Sequence, residues 1–128
     1  MAPLPKILLV DDEERFRNNL KKMLAAQGFE AAAVESGEQA LEELAREPYD
    51  VILLDMRMPG MSGLETLAAL KQDHPEAEVI MLTGHASVDT AKEIIRLGGS
   101  EYLLKPCPLE EVIAKIETAF ERKLARRE

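Results

Sequence analysis

Five side chains able to bind phosphate or a metal ion follow short apolar runs of this sequence. Asp11 and Asp12 come after the first run, Asp55 ends the third, Thr83 follows the fourth and Lys105 follows the last. If the runs are strands of one parallel sheet, their carboxyl ends lie along one edge, where ligands bind in open α/β sheets. The sequence therefore predicts a single crevice lined by three carboxylates, a hydroxyl and an ammonium group.

Three carboxylates in one crevice repel one another and need a compensating positive charge. Two like charges about 4 Å apart repel by roughly 4 kcal/mol at an effective dielectric constant of about 20, whereas a helix N-terminus returns only about 0.3–1 kcal/mol to each. A divalent cation accounts for the cluster better, and hard oxygen ligands in an incomplete protein shell favour Mg2+. Taken singly, the residues also have purely structural interpretations, Asp11 and Asp12 as helix caps and Asp55 as a turn residue.

The elements that would position these side chains alternate between strand and helix. Each apolar run is followed by a helical pattern, and the runs predict strands over 6–10, 29–34, 51–54, 79–82 and 101–104. Crossovers of helix length favour parallel pairing with right-handed connections. The first, third and fourth runs are the most apolar, which places them at the centre of the sheet. We therefore predict an α/β fold, a doubly wound, flavodoxin-like (βα)5 domain with a five-stranded parallel sheet of order 2-1-3-4-5.

Several helix ends are also predicted by local sequence. Ser36 with Gln39 and Ser62 with Glu65 have the spacing of capping boxes. Pro108 suits the first position of the last helix, since proline lacks the N–H that would be unpaired there.

Composition limits the number of domains and the kinds of partner. The 128 residues suit one domain spanning 1–128, with 46% hydrophobic content for its core. A net charge of −8 argues against direct binding to nucleic acid or an anionic membrane. The single Cys107 rules out an internal disulfide, and without a secretory signal or a long apolar run we expect a cytoplasmic protein. The charged tail, 121–128, is either a solvated helix end or the start of a linker.

In chain order, four segments resemble the receiver domains of two-component response regulators. They are Lys6 to Glu13, Leu53 to Gly63, Leu82 to Gly84 and Tyr102 to Pro106. Each segment is weak alone, but the ordered set is specific and covers essentially the whole chain. The resemblance implies a phosphoacceptor signalling switch that catalyses only its own phosphorylation and dephosphorylation and is otherwise not an enzyme.

The resemblance assigns a role to the residues of the crevice. Asp55 would be the phosphoacceptor, Asp12 a direct Mg2+ ligand, Asp11 a ligand through water, and the main-chain carbonyl of Arg57 a further ligand. Lys105 would contact the phosphoryl group, and the Lys105–Pro106 peptide would be cis. An Asp55 carboxyl with the usual pKa of about 3.9 would be ionised at neutral pH and ready as a nucleophile.

Two residues would couple the crevice to a distant face, again by resemblance. Thr83 would contact the phosphoryl group, and Tyr102 would be the switch residue that turns into the space vacated by Thr83. The face of the fourth helix, fifth strand and fifth helix would then repack. The implied partners are a sensor histidine kinase or phosphotransfer protein and an unknown output protein or output domain; a phosphorylation-dependent dimer is a further option. Arg57 and His85 are candidates for tuning the lifetime of the phosphoryl group, and His85 has an equal interpretation as a surface turn residue.

The sequence fits other functions less well than it fits a signalling switch. An unphosphorylated protein-interaction module could use the same fold, although no site residue is missing. An aspartyl-nucleophile phosphohydrolase also uses Asp and Mg2+, but its Asp-x-Asp motif would follow the first strand, where this chain has the adjacent pair Asp11 and Asp12. The acidic loop at that point disfavours a nucleotide or flavin site, which would be glycine-rich. A stand-alone receiver and the receiver of a larger regulator both fit the sequence.

Overall fold

Five strands and five helices alternate along the chain in the computed structural model, which describes residues 4–85 and 87–127. The elements are β1 (Lys6–Val10), α1 (Glu14–Ala26), β2 (Glu30–Val34), α2 (Gly37–Arg46), β3 (Val51–Asp55), α3 (Gly63–Asp73), β4 (Glu78–Thr83), α4 (Val88–Arg96), β5 (Glu101–Leu104) and α5 (Leu109–Arg127).

The strands form one parallel sheet in the order β2-β1-β3-β4-β5, which confirms the predicted doubly wound fold. Val10 pairs with Leu54, and Leu54 pairs with Met81. This register keeps the carboxyl ends of the three central strands level. The residues that follow those ends are therefore neighbours in space.

Helices cover both faces of the sheet, which explains why the central strands are apolar on both sides. Every residue from Ile7 to Val10 and from Val51 to Leu54 is fully buried. On one face the core is completed from α1 and α5 by Leu20, Leu24, Val112, Ile116 and Ala119. On the other face it is completed from α2, α3 and α4 by Ala40, Leu44, Leu67, Leu70 and Ile94.

Serine side chains cap three of the helices. Ser36, Ser62 and Ser87 each accept a hydrogen bond from the backbone three residues further on. The predicted capping box is complete at Ser62, whereas the Gln39 side chain accepts from the N–H of Glu35 instead of that of Ser36. Helix α5 begins at Leu109, one residue after the predicted Pro108.

Charged side chains are buried at the amino-terminal edge of the sheet. Glu78 belongs to β4 and is 1% exposed, with Arg126 of α5 and Ser100 Oγ within hydrogen-bonding distance of its carboxylate, at 2.5 and 2.7 Å. Lys123 is also buried and donates to Asp50 Oδ1 at 2.8 Å. Residues 121–127 thus belong to α5, and part of this charged tail packs against the domain.

Two further structural points bear on the predictions. The Lys105–Pro106 peptide is cis, as predicted. Among the residues described, no helix combines the length and the apolar character needed to cross a membrane.

Candidate functional site

The ends of β1 and β3 place two carboxylates side by side. Asp55 is the last residue of β3 and is 6% exposed, and Asp11, directly after β1, is fully buried. Asp12 is exposed to solvent. Carboxylate oxygens of Asp11, Asp12 and Asp55 all lie within 4.8 Å of one another. The three carboxylates that were predicted to share a crevice are therefore brought together.

The loop between β1 and α1 holds Asp11 by its side chain and by its main chain. Asp11 Oδ1 accepts a hydrogen bond from the Glu13 N–H at 2.8 Å, and Arg17 Nη1 donates to the Asp11 carbonyl oxygen at 2.9 Å. The Asp11 N–H donates to the Val34 carbonyl at the end of β2. Because burying a carboxylate is costly unless it is hydrogen-bonded, the bond from the Glu13 N–H helps to accommodate the Asp11 side chain, and the other two bonds fix its main chain.

The loop between β3 and α3 fixes Asp55 through a glycine. The Gly63 N–H donates to the Met56 carbonyl at 3.0 Å. A Cβ atom at position 63 would lie 2.4 Å from the Asp55 carbonyl oxygen and 2.7 Å from the Met56 Cα. The start of α3 can approach the backbone of Asp55 this closely only because residue 63 has no side chain.

Lys105 bridges the carboxylates. Its Nζ lies 2.8 Å from Asp11 Oδ2, 3.3 Å from Glu13 Oε1 and 3.4 Å from Asp55 Oδ1. The Lys105 N–H also donates to the Thr83 carbonyl, which ties the end of β5 to the end of β4. Burial disfavours the charged ammonium, but the hydrogen bond and charge of Asp11, with the charge of Asp55, outweigh it and raise the pKa of Lys105.

The environment of Asp55 raises the pKa of its carboxyl group, whereas the nearby Lys105 alone would lower it. Burial, followed by the negative charge of Asp11, raises the pKa of Asp55 to about 6, and the attraction to Lys105 offsets this only in part. The value of about 3.9 assumed from the sequence was therefore too low. Asp55 is still mostly ionised at pH 7.

The donor set fits a hard divalent cation. The carboxylates of Asp11, Asp12, Glu13 and Asp55 outnumber the single ammonium of Lys105 within the cluster. Mg2+ takes oxygen ligands and retains several waters, so it suits a site that is partly open. After burial, the negative charge of Asp11 contributes to the raised pKa of Asp55, and a cation bound here would offset that repulsion.

The carboxylates open into a cleft of about 830 Å³. Its wall includes Phe16, Arg57, His85 and Pro106. This volume is in the range of small-molecule sites in proteins. Arg57 thus borders the cluster, and the ligand role of its main-chain carbonyl remains a prediction.

Thr83 lies at the end of β4 and is buried, but its hydroxyl is engaged within its own turn. Thr83 Oγ1 donates to the His85 carbonyl at 2.9 Å and accepts from the His85 N–H at 3.1 Å. A contact with a phosphoryl group would require this hydroxyl to exchange partners. The structure therefore places Thr83 beside the site without directing its hydroxyl into it.

Tyr102 lies outside the cleft of the carboxylates. It is half-buried on β5 and lines a separate apolar groove against α4, together with Val88, Ala91 and Ile95. Val88 and Ile95 are large side chains that are mostly exposed, at 71% and 60%. The predicted switch residue is thus on the face of α4 and β5, and its coupling to Thr83 remains a prediction.

Sequence reasoning missed the contacts that Glu13 and Phe16 make with Lys105. The position of Phe16 in the sequence fits the apolar stripe of the first helix, yet its ring centre lies 4.1 Å from Lys105 Nζ. The available signal was its position in the first turn of the helix after Asp11 and Asp12, where a side chain can reach the sheet edge. That position alone did not distinguish a core residue from a residue of the cleft.

Comparisons with known proteins agree with this geometry. The sequence matches the family model described as "Response regulator receiver domain" over residues 7–117. It is 40% identical over 114 residues to the DNA-binding transcriptional regulator NtrC of Escherichia coli (strain K12), covering 89% of this chain and 24% of that protein. It is 35% identical over its full length to the regulatory protein AtoC of the same organism, covering 28% of that protein. The chain thus spans about a quarter of the length of the curated relatives that it matches.

Solved structures with the same fold include single receivers and a longer regulator. A CheY-like response regulator receiver domain protein from Methanospirillum hungatei JF-1 superposes with a TM-score of 0.91 at 26% identity, covering 97% of this chain and 99% of that one. NtrX from Brucella abortus gives a TM-score of 0.91 at 30% identity, covering 98% of this chain and 28% of that one.

Proposed function

This chain belongs to the response regulator receiver domain family, and on that basis we propose that it is a signalling switch phosphorylated on Asp55. The phosphoryl donor is a sensor histidine kinase or a phosphotransfer protein. The proposed domain spans residues 1–128, and it controls either a separate output protein or an attached output domain. Its only chemistry is its own phosphorylation and dephosphorylation.

The observation that carries the proposal is the cluster at the carboxyl ends of β1, β3 and β5. A nearly buried, mostly ionised Asp55 has two further carboxylates within 4.8 Å and the Lys105 ammonium 3.4 Å from its Oδ1. A protein that catalyses phosphoryl transfer mainly positions the reacting groups and stabilises the negative charge on the phosphoryl oxygens. The cluster supports both, because it offers a nucleophile, metal ligands and a fixed cation in one place.

In the proposed reaction, a carboxylate oxygen of Asp55 attacks the phosphorus of a phosphohistidine. The new bond joins Asp55 oxygen to phosphorus, the phosphorus–nitrogen bond breaks, and the departing imidazole nitrogen takes up a proton. Lys105 stabilises the equatorial phosphoryl oxygens with its ammonium group. The product is an acyl phosphate, which water hydrolyses, as suits a transient signal.

We assign the Mg2+ site to Asp11, Asp12, Asp55 and the main-chain carbonyl of Arg57, with Asp11 binding through water. A bound Mg2+ supplies positive charge that offsets the approach of the anionic donor to the anionic carboxylate. Asp11 and Asp55 also hold Lys105, so the metal ligands and the phosphoryl-binding lysine are positioned by the same contacts.

We further propose that phosphorylation is transmitted to α4, β5 and α5. The Thr83 hydroxyl leaves its bonds to the His85 backbone and turns to the phosphoryl group, and Tyr102 moves towards the vacated space. The apolar groove beside Tyr102 then changes shape. This face is the proposed contact for the output, with dimerisation of phosphorylated domains as one form of it.

Intact-mass spectrometry after incubation with a small-molecule phosphodonor tests the function. We expect one added phosphoryl group that requires Mg2+ and is lost in Asp55→Asn. Asp73→Asn is the matched control, because Asp73 is an exposed carboxylate at the end of α3 that contacts no residue of the site.

Two results would contradict the assignment. An adduct that survives Asp55→Asn would mean that another residue is the acceptor. No adduct under any condition, with Mg2+ binding established separately, would favour an interaction module that is not phosphorylated.

A further inference from the structure

The ring of Phe16 forms one wall around the ammonium of Lys105. Phe16 lies in the first turn of α1, and Lys105 follows β5, so the two side chains come from opposite ends of the chain. Lys105 Nζ lies 4.1 Å from the ring centre. We infer that Phe16 is a positioning residue that holds the Lys105 ammonium at the site of phosphoryl transfer, an inference that rests on the proposed function.

The contact has the geometry and the surroundings of a cation–π interaction. The face of an aromatic ring carries partial negative charge and attracts an ammonium within about 6 Å of its centre. The Lys105 side chain is only 15% exposed, so water screens the attraction weakly. Phe16 is itself packed against the core cluster between the sheet, α1 and α5, which fixes the ring in place.

Among the contacts of Lys105 within the described residues, the Phe16 ring is a partly buried one that does not compete for metal or phosphate. The carboxylates of Asp11 and Asp55 contact Lys105, but the same oxygens are the proposed ligands of Mg2+ and the proposed nucleophile. Glu13 is exposed, and its contact at 3.3 Å is open to water. As the carboxylates turn to Mg2+ and to phosphorus, the Phe16 ring still restrains the long lysine side chain.

A core role alone would predict a different response to substitution. If Phe16 only fills space, its shape is what counts, and the electron density of the ring is irrelevant. If it positions Lys105, weakening the negative face of the ring should slow phosphorylation even when the shape is kept. Fluorinated phenylalanines separate these two properties, because fluorine withdraws electron density from the ring and adds little volume.

The test replaces Phe16 with phenylalanine carrying one, two or three ring fluorines, introduced at that codon alone. We expect the maximal rate of Asp55 phosphorylation by a small-molecule phosphodonor with Mg2+ to fall stepwise, to about three- to tenfold below the native chain for trifluorophenylalanine. The midpoint temperature of thermal unfolding should be the same for the native chain and the fluorinated variants. Phe16→Tyr should retain the rate, and Phe16→Leu should lose it to a similar extent as the trifluoro variant.

Two controls make the result specific. The same series at Phe120, which packs on the same core cluster from α5, should leave the rate unchanged. In a Lys105→Met background, where the overall rate is low, fluorination at position 16 should have no further effect. Two results would overturn the inference while leaving the proposed function intact. One is an equal phosphorylation rate in all variants of the Phe16 series. The other is a fall in rate with added fluorines that persists in Lys105→Met. If the native chain gains no phosphoryl group, the proposed function itself fails.

Discussion

Asp55 is a buried carboxylate kept beside other carboxylates, and this costs the fold stability. Burial and the charge of Asp11 raise its pKa from 3.8 to about 6. A pKa that is higher in the folded state means that the charged form of Asp55 is tolerated less well there than in the unfolded chain. Stability alone does not favour a charge here, whereas the proposed role of Asp55 as a nucleophile requires one.

The first prediction concerns Asp55→Asn in the absence of Mg2+. Between pH 3.8 and about 6 the folded state binds more protons than the unfolded state at this residue, so stability falls as pH rises through that window. We therefore expect Asp55→Asn to raise the free energy of unfolding by about 1–3 kcal/mol at pH 7.5. Urea denaturation at several pH values measures it.

The pH dependence separates this cause from a general packing effect. The advantage of Asp55→Asn over the native chain should shrink as the pH is lowered towards 4, because Asp55 becomes protonated in the folded state before it does so in the unfolded chain. An advantage that stays constant from pH 7.5 to 4 would show that repulsion of the charge is not its source. Asp73→Asn, at an exposed position, should change stability by less than about 0.5 kcal/mol.

At the scale of elements, the site depends on how closely α3 approaches the end of β3. The main-chain atoms of Asp55 and Met56 occupy the space where a side chain at position 63 would begin. This contact holds the backbone of Asp55, the proposed nucleophile. It explains why a glycine starts a helix here, although alanine favours helix formation.

Gly63→Ala is the second prediction. Because the obstructing atoms are backbone, they cannot rotate away, and we expect a loss of about 1–3 kcal/mol in the free energy of unfolding. Slower phosphorylation of Asp55 should accompany it. Gly84→Ala is the matched control, since a Cβ there meets no atom within 4 Å, and its stability should change by less than about 0.5 kcal/mol. Similar losses in both variants would exclude steric conflict as the cause.

The end of α5 is anchored at the opposite edge of the sheet. Lys123 donates to Asp50 Oδ1 from a position that is 4% exposed. The third prediction is that Lys123→Met lowers the free energy of unfolding by about 1–3 kcal/mol, because a hydrogen bond between charged groups is lost next to the carboxylate of Asp50. Denaturant titration at constant pH measures this.

Lys115→Met on the same helix is the control for that prediction. Lys115 and Glu101 form a pair at 3.4 Å, and about a third of each side chain is exposed. Such partly exposed pairs contribute little, and we expect a change below about 1 kcal/mol. If the two variants lose equal stability, burial of Lys123 is not what makes its contact important.

The sequence was sufficient for features that depend on local pattern. Continuous apolar runs identified the buried strands, and their helix-length spacing predicted parallel pairing. The higher apolar content of the first, third and fourth runs predicted the strand order, which places Asp11, Asp55 and Lys105 at one edge of the sheet. The apolar run predicted a fourth strand over 79–82, whereas β4 also includes the buried Glu78. Its partners, Arg122 and Arg126, lie on α5 more than 40 positions away, so only the tertiary structure reveals why it is accommodated.

Contacts between residues distant in sequence also account for the other features that the sequence did not predict. Lys123 looks like a solvated residue in a charged tail until Asp50 is placed beside it. Phe16 looks like core until Lys105 is placed above its ring. The pKa of Asp55 could not be read from the sequence because it is set by burial and by Asp11, not by neighbours along the chain. Local sequence does not predict how deeply these side chains are buried or which charged residues, distant in sequence, lie beside them.

At the scale of the whole molecule, the site and the apolar groove beside Tyr102 are separate surfaces connected through β4 and β5. Thr83 ends β4, and its carbonyl accepts the N–H of Lys105 at the end of β5. Both hydrogen bonds of its hydroxyl are made with the backbone of His85, two residues further along the chain. A shift of this hydroxyl towards a phosphoryl group therefore has a direct route to β5.

The fourth prediction is that phosphorylation alters β5 and α4 together, and that Thr83 is required. With phosphodonor and Mg2+, we expect amide hydrogen exchange over 101–104 to slow about fivefold or more as Tyr102 becomes more buried. Thr83→Ala should still form the acyl phosphate but lose this change. Thr118→Ala is the control, because its hydroxyl bonds within α5 to the Ala114 carbonyl. If amide hydrogen exchange over 101–104 slows equally in phosphorylated Thr83→Ala, the signal reaches the groove by another path, such as through Lys105.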